Sequence, residues 1–271
     1  MRRWMAISLV AFVATTAAFA QDARLKQLDS VDDGRAWEAV GRLDIDGTGF
    51  CTGALIAPDL VLTAAHCLFS KASKQRINHE TVEFLAGWRN GRASAYRNVR
   101  RAVVHPDYIY DDAASSQRVR NDIALLELER PIRNTTVTPF DTAARPEKGD
   151  RVGVVSYAKD RSEAPSLQEV CGVLARQEGV LVMSCNVDFG SSGAPIFTFD
   201  EGVPRIVSVV SAKAEVKGTK VALGTALGEP LELLKAALDA GQGVFQPAGP
   251  GAHRISVGGE RNETGAKFIK P

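Results

Sequence analysis

Three short segments of this 271-residue chain carry side chains whose types suit acyl transfer. Thr63-Ala64-Ala65-His66-Cys67 sets a histidine at the end of an apolar run. Asn121-Asp122-Ile123-Ala124-Leu125-Leu126 sets an aspartate ahead of one. Gly190-Ser191-Ser192-Gly193-Ala194-Pro195 sets a serine among small residues. A serine hydroxyl is a weak nucleophile at neutral pH and needs a base within hydrogen-bond reach. Histidine suits that task because its ordinary pKa lies near neutrality. A carboxylate on its other ring nitrogen fixes the tautomer and stabilises the imidazolium. The residues therefore imply His66 as general base, Asp122 as the orienting acid and Ser192 as nucleophile. The backbone N–H groups of Gly190 and Ser192 form the expected oxyanion hole, since small neighbours let them approach a substrate carbonyl.

Rival residues have plainer roles. Ser191 adjoins Ser192 and reads as a turn residue. An α/β-hydrolase elbow needs Gly-x-Ser-x-Gly, whereas residue 194 is Ala and Pro195 follows. Asp107, Asp111, Asp112 and Asp188 are other carboxylates, but none of them precedes an apolar strand as Asp122 does. The Asp111-Asp112 pair reads as solvated loop charge in preference to a calcium site. His105 reads as structural, and His79 and His253 as solvated loop residues.

These groups must be positioned by strands. From Trp37 onward short apolar runs alternate with turn residues: 39–45, 53–56, 60–63, 82–86, 101–104 and 123–128. A proline-bearing connector over 131–148 separates them from a second set at 151–157, 169–174, 180–183, 194–197 and 206–210. Close-spaced short strands predict barrels or sandwiches and not β/α units. One helix is predicted over 229–240: Pro230 suits a first turn, Leu231, Leu234 and Leu238 recur on one face, and Gly241 stops it. Residues 241–271 read as a flexible, Gly-rich tail.

The ends and the bulk composition narrow the class. Met1-Arg2-Arg3, an apolar stretch and Ala18-Phe19-Ala20 have the layout of a signal peptide over 1–20, which predicts a secreted or periplasmic protein cut near Ala20. Residues 21–35 read as a leader, pro-segment or loosely docked arm. A net charge of +1, from 33 basic and 32 acidic side chains, gives no support for nucleic acid or a membrane surface as partner. Four cysteines in an exported chain suggest disulfides. Three pairings are open, of which the simplest closes two short loops, Cys51–Cys67 and Cys171–Cys185. The chain has no C-x-x-C and only scattered histidines, so no metal and no cofactor is implied. A monomer is the default.

Taken together, Thr-Ala-Ala-His-Cys, Asn-Asp-Ile-Ala-Leu-Leu and Gly-x-Ser-Gly-x-Pro resemble the three signatures of the trypsin-like serine proteases, in the same order, over about residues 37–238. The resemblance implies an all-β fold of two packed six-stranded antiparallel barrels (about 36–130 and 148–228) with a C-terminal helix. It implies peptide-bond hydrolysis through an acyl-enzyme on a protein or peptide substrate. Phe50-Cys51-Thr52-Gly53-Ala54-Leu55-Ile56 resembles the family strand whose cysteine bonds the one after the histidine, which supports Cys51–Cys67. Cys171 and Cys185 fit a family disulfide beside the specificity pocket. The chain between Asp122 and Ser192 resembles the bacterial branch that includes glutamyl endopeptidases. Two departures stand out. Ser191 replaces the aspartate that captures a new N-terminus in the animal digestive enzymes. Asn186 lies near the trypsin specificity aspartate, which argues against Arg or Lys preference. Ser211, Ala212 and Lys213 are expected on the pocket wall, where Lys213 attracts an acidic side chain or narrows the mouth. A catalytically silent binding protein and an esterase are the alternatives; the intact trio favours a working peptidase.

Overall fold

The computed structural model describes residues 24–111, 115–143, 146–216 and 218–245. The signal-like segment 1–20, Asp112 and the tail beyond residue 245 lie outside them.

The described chain opens with a two-residue strand, β1 (Lys26–Gln27), and a helical turn, α1 (Val31–Gly34), whose N-cap Ser30 accepts from the Asp33 amide. Six strands follow: β2 (Val40–Ile45), β3 (Gly49–Ala57), β4 (Leu60–Thr63), β5 (Val82–Ala86), β6 (Ala95–Val104) and β7 (Ala124–Leu128). They close into a barrel in the order β2-β3-β4-β7-β6-β5, with every pairing antiparallel. A short helix, α2 (Ser116–Arg120), fills the connection ahead of β7.

The second half contributes β8 (Arg151–Ala158), β9 (Arg161–Gln177), β10 (Val180–Met183), β11 (Pro195–Asp200), β12 (Val203–Val216) and β13 (Thr219–Ala226). Their order is β9-β10-β13-β12-β11-β8, and β8 pairs back onto β9. The 17-residue β9 makes this closure possible: its first part pairs with β8 and its last five residues with β10. The two closed, six-stranded antiparallel rings form a chymotrypsin-like fold. The helix α3 (Glu229–Asp239) packs on β6 and β7, burying Leu231, Leu234 and Leu238, and Gly241 ends it with φ +78°.

One continuous core joins the barrels. Trp37, Phe140 of the connector and Phe197 of β11 form an aromatic cluster with centroid separations of 4.8–6.0 Å. A second cluster around Val154, Leu181, Met183 and Ile196 fills the inside of the second barrel.

Three features depart from the sequence reading. The arm over 24–35 is not loosely docked: Lys26 and Gln27 lie opposite Leu167 and Ser166 of β9. Leu28 is 1% exposed, and its amide donates to the Pro165 carbonyl at 2.9 Å. The buried Leu28 side chain, the β1–β9 pairing and a bond from Asn90 Nδ2 to the Asp29 carbonyl together hold the segment. β13 lies beyond the apolar runs legible in the sequence, because a strand rich in Ala, Gly and Thr carries a weak hydrophobic signal. His79 is buried and not solvated; its Nε2 donates to the Arg100 carbonyl at 3.1 Å.

Replacing Leu28 by Ala is expected to lower unfolding free energy by about 2–4 kcal/mol in urea titrations. Burial also holds His79 and His105 below the ordinary histidine pKa. The unfolded chain then binds more protons than the folded one in mildly acid solution, so stability falls as pH drops through the ordinary histidine range toward the folded values. The urea midpoint should decrease between about pH 7.5 and about pH 5, and His79→Gln should flatten that decrease.

Candidate active site

The described residues of the three sequence segments converge where the two barrels meet. β4 ends at Thr63, and a 3-10 turn over Ala65–Leu68 carries His66. The alanines before it are fully buried, so larger side chains there would displace the turn. A disulfide between Cys51 of β3 and Cys67, with Cα atoms 6.3 Å apart, pins the turn from its other side.

Asp122 lies between α2 and β7 and is 0% exposed. Its Oδ1 accepts from the His66 amide at 2.8 Å, and its Oδ2 lies 2.7 Å from His66 Nδ1. Ser211 of β12 donates from Oγ to the same Oδ2. With Nδ1–H donating to the carboxylate, Nε2 is left as the basic ring nitrogen. Thr225 of β13 donates to the Val119 carbonyl at 2.5 Å and lies 3.1 Å from the Asp122 carbonyl, so the second barrel also fixes the backbone that carries the aspartate. The nearby Tyr108 phenol is pushed well above its ordinary pKa by burial and, next, by the Asp122 charge; it stays protonated.

Ser192 sits on the loop between β10 and β11. Two glycines shape that loop with φ values closed to most residues, Gly190 at +98° and Gly193 at +77°. A Cβ on Gly190 would stand 2.3 Å from the Phe50 ring, and one on Gly193 would stand 2.1 Å from Thr63 Oγ1. The Ser192 carbonyl accepts from the Thr52 amide at 2.8 Å, and the Gly193 amide donates to Val210 at 2.7 Å. The amides of Gly190 and Ser192 donate to no backbone carbonyl among the described residues. Ser191 is fully buried beneath the loop, its hydroxyl 3.1 Å from both the Tyr157 carbonyl and Ser156 Oγ.

His66, Gly190 and Ser192 line one cavity of about 1040 Å³ between the barrels. Val187, Val210 and Ala212 are among its apolar lining residues, and Lys213 also lines it. Lys213 is engaged: Nζ lies 2.6 Å from Asp188 Oδ1 and 4.2 Å from the centre of the exposed Phe189 ring. The lysine hydrogen bond, followed by one from the Phe189 amide, holds the Asp188 carboxyl below the usual carboxylate range. Asn186 does not line the cavity. It is exposed, and its backbone amide donates to Gln168 Oε1 at 2.7 Å. Residues that sequence reasoning left out of the site are Thr52, Phe50, Val187, Phe189 and Val210. Each of the five adjoins a residue already singled out: Phe50 and Thr52 flank Cys51, Val187 follows Asn186, Phe189 precedes Gly190 and Val210 precedes Ser211.

Cys51, Cys67 and His66 bring possible metal-ligand atoms within 4.8 Å of one another. Both sulfurs are consumed in the disulfide, and a disulfide sulfur is not the thiolate a metal requires. Cys171 and Cys185 are bonded as well, joining β9 to the start of the loop that carries Ser192.

Two β-barrels with a histidine–aspartate pair facing a serine loop define the chymotrypsin-like class. The family model described as Trypsin matches residues 30–224, and the chain belongs to that family. Among curated relatives, the chain is 37% identical over 90 residues to cathepsin G of Mus musculus (33% of this chain, 30% of that protein). It is 26% identical over 150 residues to glutamyl endopeptidase of Bacillus licheniformis (55% and 45%), and 34% identical over 152 residues to mast cell protease 3 of Ovis aries (53% and 56%). The alignments thus span between 30% and 56% of these relatives' lengths. A solved Glu endopeptidase in complex with MPD superposes with a TM-score of 0.65 at 19% identity, covering 80% of this chain and 97% of that one. Within the trypsin family, the chain is similar to glutamyl endopeptidases in sequence and in fold. No described helix is long and apolar enough to cross a membrane.

Removing the second disulfide by Cys171→Ser with Cys185→Ser should cost about 3 kcal/mol, the loop-closure scale for cysteines 14 residues apart. Guanidinium unfolding of the variant beside the parent measures it.

Proposed function

We propose that the protein is a serine endopeptidase that hydrolyses peptide bonds through an acyl-enzyme on Ser192. The observation that carries this reading is the buried Asp122 carboxylate bound at 2.7 Å to His66 Nδ1, with His66 and Ser192 lining the same cavity. Ser192 Oγ attacks the scissile carbonyl carbon as its proton passes to His66 Nε2. The carbonyl oxygen becomes an oxyanion, held by the Gly190 and Ser192 amides. His66 then returns the proton to the leaving amine nitrogen, the C–N bond breaks and the amine departs. Water repeats the sequence on the ester, with His66 again taking the proton, and frees the acid and Ser192. Asp122 holds the ring tautomer and stabilises the imidazolium in both halves. The two disulfides and the signal-like N-terminus support a secreted or periplasmic setting, and a monomer cleaving protein or peptide substrates fits this reading.

For the residue on the acyl side of the scissile bond, we read the apolar walls Val187, Val210 and Ala212 as selecting an uncharged side chain. Lys213 would meet an acidic residue, but its charge is already offset by Asp188 at 2.6 Å. Preference for glutamate, as in the names of two of the proteins it is similar to, is therefore not expected here. Peptides differing only in Leu or Glu at that position test this: Leu should give the larger kcat/KM, and faster cleavage after Glu would reverse the assignment.

A fluorophosphonate probe on the purified protein should leave one adduct, mapped to Ser192 and absent in Ser192→Ala. Asp122→Asn should fold but lose about 10⁴-fold in kcat, because the wrong histidine tautomer is then favoured. Labelling without hydrolysis of casein, but with hydrolysis of a small ester, would point to an esterase. No labelling at all, with the fold intact, would point to a silent binding protein.

A further inference from the structure

We infer that Thr52 is a positioning residue for the oxyanion hole, holding the Ser192 loop in register across the two barrels. The inference rests on the reading of Ser192 as nucleophile and deepens it. Thr52 is on β3 of the first barrel, next to the disulfide-bonded Cys51, and is fully buried. Its hydroxyl donates to the Gly190 carbonyl at 2.8 Å and accepts from the Tyr157 amide of β8 at 3.1 Å. Its own amide donates to the Ser192 carbonyl at 2.8 Å. Its carbonyl accepts from Thr63 Oγ1 at 2.9 Å, close to the turn that carries His66.

One side chain and one peptide unit thus address both residues whose amides would hold the oxyanion. The geometry of a peptide plane makes this consequential. The Gly190 carbonyl caught by Thr52 Oγ1 belongs to the peptide whose N–H is that of Ser191. Fixing it constrains the rotation about Gly190, which sits at φ +98° and has no side chain of its own to resist. The Ser191 amide is correspondingly turned inward, donating to Asp188 at 2.9 Å, which leaves the amides on either side of it free of backbone partners among the described residues. Because the hydroxyl also takes the Tyr157 amide, it ties the loop to the first strand of the second barrel and not to a mobile surface. A threonine suits this place: its hydroxyl has one proton to give and lone pairs to receive, and its branched Cβ restricts χ1 so that both bonds are held at once.

Thr52→Val keeps the shape and removes the hydroxyl. With the fluorophosphonate probe, it should lower the maximal inactivation rate by on the order of 10–100-fold while the concentration for half-maximal rate changes by less than about 3-fold. Affinity for a peptide boronate, whose tetrahedral adduct places an oxygen where the oxyanion forms, should fall alongside. Thr52→Ser should restore both. Near-UV circular dichroism and the melting temperature report folding separately. If Thr52→Val does not fold, Thr52→Ala, which leaves room for a water, carries the same expectation. A variant that melts earlier yet labels at the parental rate and keeps boronate affinity would reduce Thr52 to a structural residue and overturn the proposal. Absence of labelling in the parent itself would instead sink the assignment of Ser192, so the two failures are distinct.

Discussion

A carboxylate with no exposed surface is the constraint around which this molecule is organised. Moving an ion of that size out of water costs several kcal/mol unless donors replace the lost solvent. Asp122 has three: the His66 amide, His66 Nδ1 and Ser211 Oγ. Two come from the first barrel and the third from the second. The charge is accommodated only when β4 has ended where it does, the turn after it has formed, and β12 has been laid against the first barrel. Removing any of these leaves a buried anion short of a partner, so the local geometry of the histidine is coupled to the packing of the whole domain.

The seam between the barrels repeats that logic with neutral groups. Tyr157 is buried within β8, yet its hydroxyl donates to the Trp88 carbonyl of the first barrel at 2.9 Å. Thr225 of β13 reaches the backbone of α2 and the Asp122 carbonyl. Thr52 reaches the other way, from β3 to the Ser192 loop. Around these bonds the rings of Trp37, Phe140 and Phe197 exclude water, and a dry seam strengthens each hydrogen bond while raising the cost of leaving one unmade. The cleft is open to solvent, but its floor is not.

The departure at Ser191 from the pattern that the family resemblance implies has a physical basis in the packing beneath the serine loop. Ser191 stands where the digestive enzymes carry an aspartate for a newly cut N-terminus. Here the position is anchored by neutral bonds to Ser156 and Tyr157, all within the second barrel. The described N-terminal arm, meanwhile, runs along β9 with Leu28 in the core, on the outside of the barrel. Among the described residues, the loop's anchor and the arm are separate pieces of structure, with no ion pair between them.

Much of the chemistry was legible in the residues themselves. A histidine after an apolar run, an aspartate before one and a serine between glycines are local patterns, and local patterns survive in a one-dimensional text. The apolar runs of the first half were equally plain, because a strand that faces a core must be apolar over several residues. The second barrel was harder to read. β13 is built from small residues, the first half of β9 is polar, and β1 is two residues long, so each depends on partners distant in sequence for its reason to be a strand. The same distinction holds in the site. Sequence alone determined which groups are capable of acyl transfer. Only the tertiary structure decided that Ser211 shares Asp122 with His66, that Asp188 offsets Lys213 and that Thr52 bonds to the serine loop. Those are contacts between residues 25 to 140 positions apart, and no spacing along the chain encodes a hydrogen bond that exists only after two barrels have closed and packed.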